Sequence, residues 1–468
     1  MSYLLDFVKS FTEEELKQFK RLDLIGREEE VRDVYALHAT DKEFNEAKLP
    51  ALLSLTQSHF DKINSILLDK AIEQLYRSDY SLALYTILHK GLSDLVLHEL
   101  KILERKTGKK NNQQATIKFY KAAFDCLRSM YHPKYDPELT RLYGKKYLKA
   151  LGDKRSIAEE CYVAMITLYG DIISANFSGH DKDFQPVAWQ KLEEWRKRIA
   201  DYTNPIARFY YHYVLGVFYK HLTEDAESFI KACEAALAAY DQTKGELEQR
   251  YKGVLLCELG FGYMASGRYA ESQKKYADAI VNYNDTVGKS TYHPANYLTV
   301  CIINRDFKTA GKLFESYLLP KIQASSNRSM VFDIYHLAGW LYLSQRKMDL
   351  AYKWLNELNR FRKNEVTLYG QAMLRHLETT YYYIAGDDIV TARLVKRNLK
   401  FLKKQTITFD YYTAYIDIIG KLLSLKQNKL RSAERLQLQV NGLQQGLYRV
   451  WNLILEEELL KLQPKLAS

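Results

Sequence analysis

With 468 residues, 47% hydrophobic and 27% charged, the chain can bury a large core and is not a disordered polymer. Eight prolines and 21 glycines are few for this length, which favours long uninterrupted helices over a turn-rich β protein. The net charge of +11 is concentrated in one segment: between 391 and 450 twelve lysines and arginines meet only Asp410, Asp417 and Glu434, so that segment carries +9.

Five cysteines (Cys126, Cys161, Cys233, Cys257, Cys301) lie far apart with no CxxC spacing, and read as small buried apolar residues in a reducing compartment. The opening MSYLLDFVKSFTEEELKQFK lacks a basic leader followed by an apolar core. No run approaches the roughly 18 apolar residues that span a bilayer. The expected setting is cytoplasmic, away from membranes. Tyrosine occurs 37 times, and its large ring with a polar tip suits half-buried helix surfaces.

Residues 1–75 read as a helical N-terminal region, in which Thr12 and Glu15 have capping-box spacing. LPALLSLTQSHFDKINSILLDKAI (49–72) resembles a helix-turn-helix. Leu53, Leu55, Thr56 and Phe60 fall at its apolar and capping positions, while Pro50 and Ser54 stand where alanine and glycine are usual. Residues 76–204 hold aromatic amphipathic stretches that suggest degenerate helical hairpins. Among them ISANFSGHDKDFQP (173–186), with Gly179 and Pro186 near charged residues, is expected to be a loop.

From about 205 a periodic pattern takes over. FYYHYVLGVFYKHLTEDAESFIKACEAALAAY (209–240) reads as a hairpin, and LLCELGFGYMASGRYAESQKKYADAI (255–280) is the clearest unit. Leu256, Leu259, Phe261 and Tyr263 recur at helical spacing on one helix, and Tyr269, Ser272, Tyr276 and Ala279 on the next. Ser266-Gly267-Arg268 breaks the pattern between them, and Gly260, Ser272 and Ala279 allow close approach. The large residue opening the second helix recurs as Tyr269, Phe307, Met348, Ile389 and Leu430. The small residue three places on recurs as Ser272, Ala310, Ala351, Ala392 and Ala433, at spacings of 38, 41, 41 and 41. The preceding turns (SGR, NRD, QRK, GDD, QNK) are all polar. At least five stacked hairpins are predicted, followed over 441–468 by an amphipathic, acidic capping helix containing LYRVWNLILEEELLKLQ.

Over about 205–440 this pattern resembles the tetratricopeptide repeat (TPR), in which W-x2-L-G-x2-Y precedes a turn and A-x3-F-x2-A. Leu256, Leu259, Gly260 and Tyr263 match the first half, with Leu256 replacing tryptophan; Gly267, Tyr269, Ser272, Tyr276 and Ala279 match the second. The period of 38–41 is comparable to that of HEAT-type repeats, but the small-residue pattern favours the TPR. The resemblance implies an all-α superhelical array of antiparallel helix pairs whose first helices line a concave groove. It then implies groove positions at Phe261, Thr299, Trp340 and Tyr381, with His336 and Leu377 one turn earlier and Asp333 adding polarity. The same aromatic stripe also suits packing between hairpins.

The sequence carries no reactive constellation at motif spacing. KTGKKNN (106–112) lacks the first glycine and the hydroxyl residue of a P-loop and reads as a solvated helix end. His98-Glu99 is followed by Ile102 where HExxH needs histidine, and His180, Asp181 and Asp183 lack further clustered ligands. No GxSxG occurs, Gly260-x-Gly262 falls mid-helix, and Glu28, Glu29 and Glu30 read as a solvated face. The leading expectation is a non-enzymatic scaffold, without catalytic site, cofactor or metal, that holds a peptide or protein partner in the groove. The alternative is a regulator that contacts DNA or RNA through the N-terminal helices or through a basic face of Arg393, Lys396, Arg397, Lys400, Lys403 and Lys404. Tyr411, Tyr412 and Tyr415 would lie beside it to stack bases. That plan resembles bacterial regulators joining a helix-turn-helix to a TPR sensor. A homodimer built through the array is compatible with both.

Overall fold

The Thr12 hydroxyl accepts from the Glu15 amide and the Glu15 carboxylate accepts from the Thr12 amide, so the expected capping box starts the chain's second helix. The computed structural model describes residues 3–24, 26–39, 44, 49–76, 79–89, 92–109, 112–128, 136–200, 204–287, 291–323, 328–362, 365–405, 409–427, 433–443 and 449–462, with only the backbone at 52, 89, 177, 281–287, 433 and 434. Among the described residues there are helices and no strand, so the fold is all-α. The chain forms two compact units, Met1–Thr223 and Glu224–Ser468.

In the first unit α1 (Tyr3–Lys9), α2 (Glu13–Lys20), α3 (Arg27–Leu37), α4 (Leu49–Leu52) and α5 (Gln57–Tyr76) bury Phe7, Phe19, Val31, Tyr35, Phe60 and Leu67. The helix before the helix-turn-helix-like turn is thus a single turn, and Ser54 takes the left-handed conformation ahead of α5 (φ 53°). There follow α6 (Tyr80–His89), α7 (Ser93–Lys109), α8 (Gln113–Arg128), α9 (Pro137–Leu151), α10 (Ile157–Ser178), α11 (Asp181–Ala200) and α12 (Pro205–Phe218). Tyr85 and Tyr162 both donate to Asp125, Tyr120 and Tyr143 to Glu104, and Tyr147 to Glu159. Each ring is at least partly buried while its hydroxyl ends on a carboxylate, which accounts for the use of tyrosine in place of phenylalanine. Burial and the Glu104 carboxylate push the Tyr120 phenol up to about 12.

The loop expected at 173–186 is not there. α10 runs to Ser178, and Gly179 (φ 71°) caps it, with the His180 amide donating to the Ala175 carbonyl at 2.9 Å. α11 then begins at Asp181 and carries Pro186 inside the helix, where the missing amide forfeits the bond to the Lys182 carbonyl. One left-handed glycine makes the whole reversal.

The second unit contains α13 (Ala226–Gln242), α14 (Gln249–Ala265), α15 (Tyr269–Val287), α16 (Tyr292–Ile303), α17 (Phe307–Leu313), α18 (Leu319–Gln323), α19 (Arg328–Ser344), α20 (Met348–Asn359), α21 (Leu368–Ala385), α22 (Asp388–Leu402), α23 (Asp410–Lys426), α24 (Ala433–Asn441) and α25 (Arg449–Leu462). A π turn at Phe314–Leu318 joins α17 to α18. Five hairpins therefore begin with α14, α16, α19, α21 and α23.

Four of their turns share one construction. Gly267 (φ 80°), Arg305 (59°), Arg346 (58°) and Gly386 (79°) are left-handed, and the next amide in each case bonds back to the carbonyl five residues earlier, at 2.7 to 3.1 Å. Counted from these residues the spacings are 38, 41 and 40, which corrects the register of the fourth hairpin. Thr391, not Ala392, fills the small position: it is fully buried, while Ala392 is exposed and Ile389 is 69% exposed. A one-residue slip turns a helix by about 100°, enough to move Ile389 and Ala392 to the outer face. Threonine serves as the small residue because its hydroxyl donates to the Asp387 carbonyl at 2.7 Å. Leu430 lies outside the described residues.

Close approach in the α14–α15 pair depends on Gly260. A Cβ there would lie 2.8 Å from the Tyr276 ring, and the buried Ser272 hydroxyl donates to the Gly260 carbonyl at 2.6 Å. Gly260→Ala is expected to destabilise the second unit by about 1–3 kcal/mol in urea denaturation, because the fully buried Tyr276 ring has no room to retreat.

Candidate functional site

The segment expected to cap the array, 441–468, contains α25. α25 packs on α24 and α23, and also on α19 and α16, the first helices of two earlier hairpins. Its apolar residues Val450, Trp451, Ile454, Leu455, Leu459 and Leu462 recur on one helical face, and all are buried.

Trp451 is the centre of this contact. Its ring lies 4.9 Å from His376, 5.6 Å from Tyr411, 5.9 Å from Trp340 and from Tyr412, and 6.0 Å from His336, measured between ring centres. Around it, Trp340 Nε1 donates to His336 Nε2 at 2.9 Å, Tyr415 Oη donates to the Trp451 carbonyl at 3.1 Å, and Tyr411 Oη donates to Asn452 Oδ1 at 2.7 Å. Burial pushes the His336 imidazole down to about 3, and it holds His376 well below the usual histidine range, with the neighbouring His336 acting in the same direction. Both rings are neutral at neutral pH. Neither ring nitrogen of His376 has a hydrogen-bond partner among the described residues.

A charged clamp lies at the rim. Arg305 and Arg346 both pair with Glu457, the latter at 2.9 Å, and Arg346 also pairs with Glu458 at 2.7 Å. These arginines are the left-handed turn residues of adjacent hairpins, where the flanking turns use glycine. An L-residue in that conformation costs roughly 1–2 kcal/mol, so the side chain is kept at the expense of backbone strain.

The predicted groove residues therefore separate into two groups. His336 and Trp340 are fully buried beneath α25. Leu377 is buried against Gly339, Tyr381 stacks on Tyr352 at 5.6 Å, Phe261 meets Phe229 edge-on at 6.3 Å, and Thr299 is buried with its hydroxyl on the Ala295 carbonyl. These four pack between or within hairpins. Asp333 is exposed, yet crowding by neighbouring atoms pushes its carboxyl up to about 6. His376 was missed in the sequence because a 41-residue repeat puts Leu377 in the place of His336, whereas the 40-residue spacing of the turns puts His376 there.

On α22 and in the turn that follows it, the predicted basic face is exposed. Arg397 pairs with Glu378 at 2.6 Å, while Arg393, Lys396, Lys400, Lys403 and Lys404 have no carboxylate at ion-pair distance among the described residues. Tyr412 and Tyr415 are buried under α25 and are closed to base stacking. Elsewhere Glu99 is buried and bonded to exposed His98, and no three His, Cys, Asp or Glu among the described residues are grouped to hold a metal ion. All five cysteines are buried. Among the described residues no helix is long and apolar enough to cross a membrane. No protein-family model, curated protein or solved structure matches the chain.

Proposed function

We propose that this chain is a non-enzymatic, cytoplasmic adaptor: a TPR-like array whose row of first helices receives a helical segment of a protein partner. The observation that carries this reading is α25 itself, an amphipathic helix seated across α16, α19 and α23 with a tryptophan in an aromatic nest. Helix-in-groove recognition uses the same elements, an apolar stripe in a hydrophobic trough with a buried ring as anchor. Photo-crosslinking tests it, with benzoylphenylalanine at the exposed Asp333 and, as a control, at the exposed Leu438 of α24. A protein adduct confined to the first position is expected; equal adducts at both, or none, would count against a groove.

A second reading keeps the basic stripe of α22 as a nucleic-acid contact, favoured by its five cations without carboxylate partners. If they meet five phosphates, duplex DNA or single-stranded RNA should bind a few hundred-fold more weakly at about 200 than at about 50 mM salt, measured by fluorescence anisotropy. Lys396→Glu with Lys400→Glu should then flatten that dependence. Absence of binding at the lower salt would leave the stripe as a solvated face beside a helix C-terminus, where cations are favourable on dipole grounds alone.

A further inference from the structure

We infer that α25 is a tethered stand-in for the partner, and that the partner is an acidic amphipathic helix that takes its place across α16, α19 and α23. The inference rests on the adaptor reading and adds the partner's chemistry and the means of its exclusion.

Three observations point there. The first is charge. Arg305 and Arg346 sit at successive turns in a backbone conformation suited to glycine, and both side chains reach the carboxylates of one helix, across 152 and 111 residues of sequence. Two fixed cations one repeat apart select an occupant with carboxylates on the rim side of its apolar face. The second is that α25 satisfies its seat incompletely. Among the described residues, Arg346 Nη1 is buried with no hydrogen-bond partner, and both nitrogens of fully buried His376 are left without one beside Trp451. Buried polar atoms without partners weigh against the occupant that leaves them so, and an incoming helix that supplies a further carboxylate or polar tip gains what α25 forgoes. The third is the form of the contact. The chain already presents a bound helix, so apolar face, anchor ring and carboxylates can be read from Val450, Trp451, Ile454, Glu457 and Glu458.

Because α25 is tethered, it competes at high effective concentration, and an outside helix binds in proportion to the fraction of chains in which the seat is open. The experiment uses the full chain and a fluorescent peptide of residues 449–462, with a second peptide in which Glu456, Glu457 and Glu458 are glutamine. Trp451→Ala, which loosens the chain's own helix, should bind the acidic peptide about tenfold or more tighter than wild type does. It should bind the glutamine peptide about tenfold more weakly than the acidic one. Equal binding of the two peptides would overturn the acidic-partner inference while leaving a helix-binding groove. Binding of neither, with the helical circular dichroism of Trp451→Ala intact, would overturn the groove itself. Should Trp451→Ala fail to fold, Arg305→Glu with Arg346→Glu carries the test: that chain should prefer a peptide with Glu457→Lys and Glu458→Lys, and indifference to the swap sinks the inference. A wild-type chain that dimerises by exchanging α25, seen as concentration-dependent mass in light scattering, would make the occupant a second copy and overturn the proposal of a separate partner.

Discussion

Trp340→Ala is expected to destabilise the second unit by about 3–5 kcal/mol, a large part of the stability of an ordinary domain. Trp340 is wholly buried, and its ring lies among His336, His376 and Trp451. Truncation leaves a cavity that α25 on one side and α21 on the other cannot collapse without moving their own anchors. It also removes the Nε1–H that His336 Nε2 accepts, leaving that buried acceptor without its partner. Urea denaturation followed by circular dichroism would measure the loss. A change below about 1 kcal/mol would mean that the aromatic nest is not packed as described.

The second large effect is acid sensitivity. Unfolded histidine titrates near about 6.5, whereas His336 is held down to about 3 and His376 well below the ordinary range. The unfolded chain therefore takes up protons first as pH falls. Stability from these two neutral rings is complete above about pH 6.5 and declines below it, toward pH 3 for His336. With a limiting slope of about 1.4 kcal/mol per pH unit, His336 alone costs roughly 2 kcal/mol between pH 7 and pH 5, and His376 acts in the same direction. Asp333 acts the other way: its carboxyl is raised to about 6, so protonation below that value favours the folded state. Its exposure to solvent makes this offset smaller than the shift alone implies.

His376→Leu isolates the effect. It should be more stable than wild type at pH 7 by about 1–3 kcal/mol, since it removes a buried ring with no hydrogen-bond partner among the described residues, and less sensitive between pH 7 and pH 5. Denaturation curves that shift in parallel for the two proteins across that range would show that His376 does not stay neutral in the folded state.

Much of the architecture was legible in the chain because it is encoded by near neighbours. The Thr12–Glu15 box, the small residues at Gly260 and Ser272, and the turn at Gly267 are decided within a few residues, by capping, close approach and the conformational freedom of glycine. Local signals also misled where residue type suggested the wrong geometry. Gly179 and Pro186 look like a loop, yet one glycine in a left-handed cap turns the chain and the next helix carries the proline inside it at the cost of a hydrogen bond. Ala392 looks like the small residue of its repeat, yet Thr391 takes the position by bonding its hydroxyl to its own helix. Arg305 and Arg346 gave no sign of a left-handed conformation, because arginine rarely adopts one.

The sequence by itself determined the all-α class, the hairpin series and the amphipathic character of the last helix, since helical periodicity and turn chemistry act over a few residues. Only the tertiary structure decided where that last helix lies. Trp451 meets Trp340 and His376, and Glu457 meets Arg305, across 75 to 152 residues of intervening chain. An amphipathic face specifies that a helix must be buried, and the shape and charge of the surface available to it specify where.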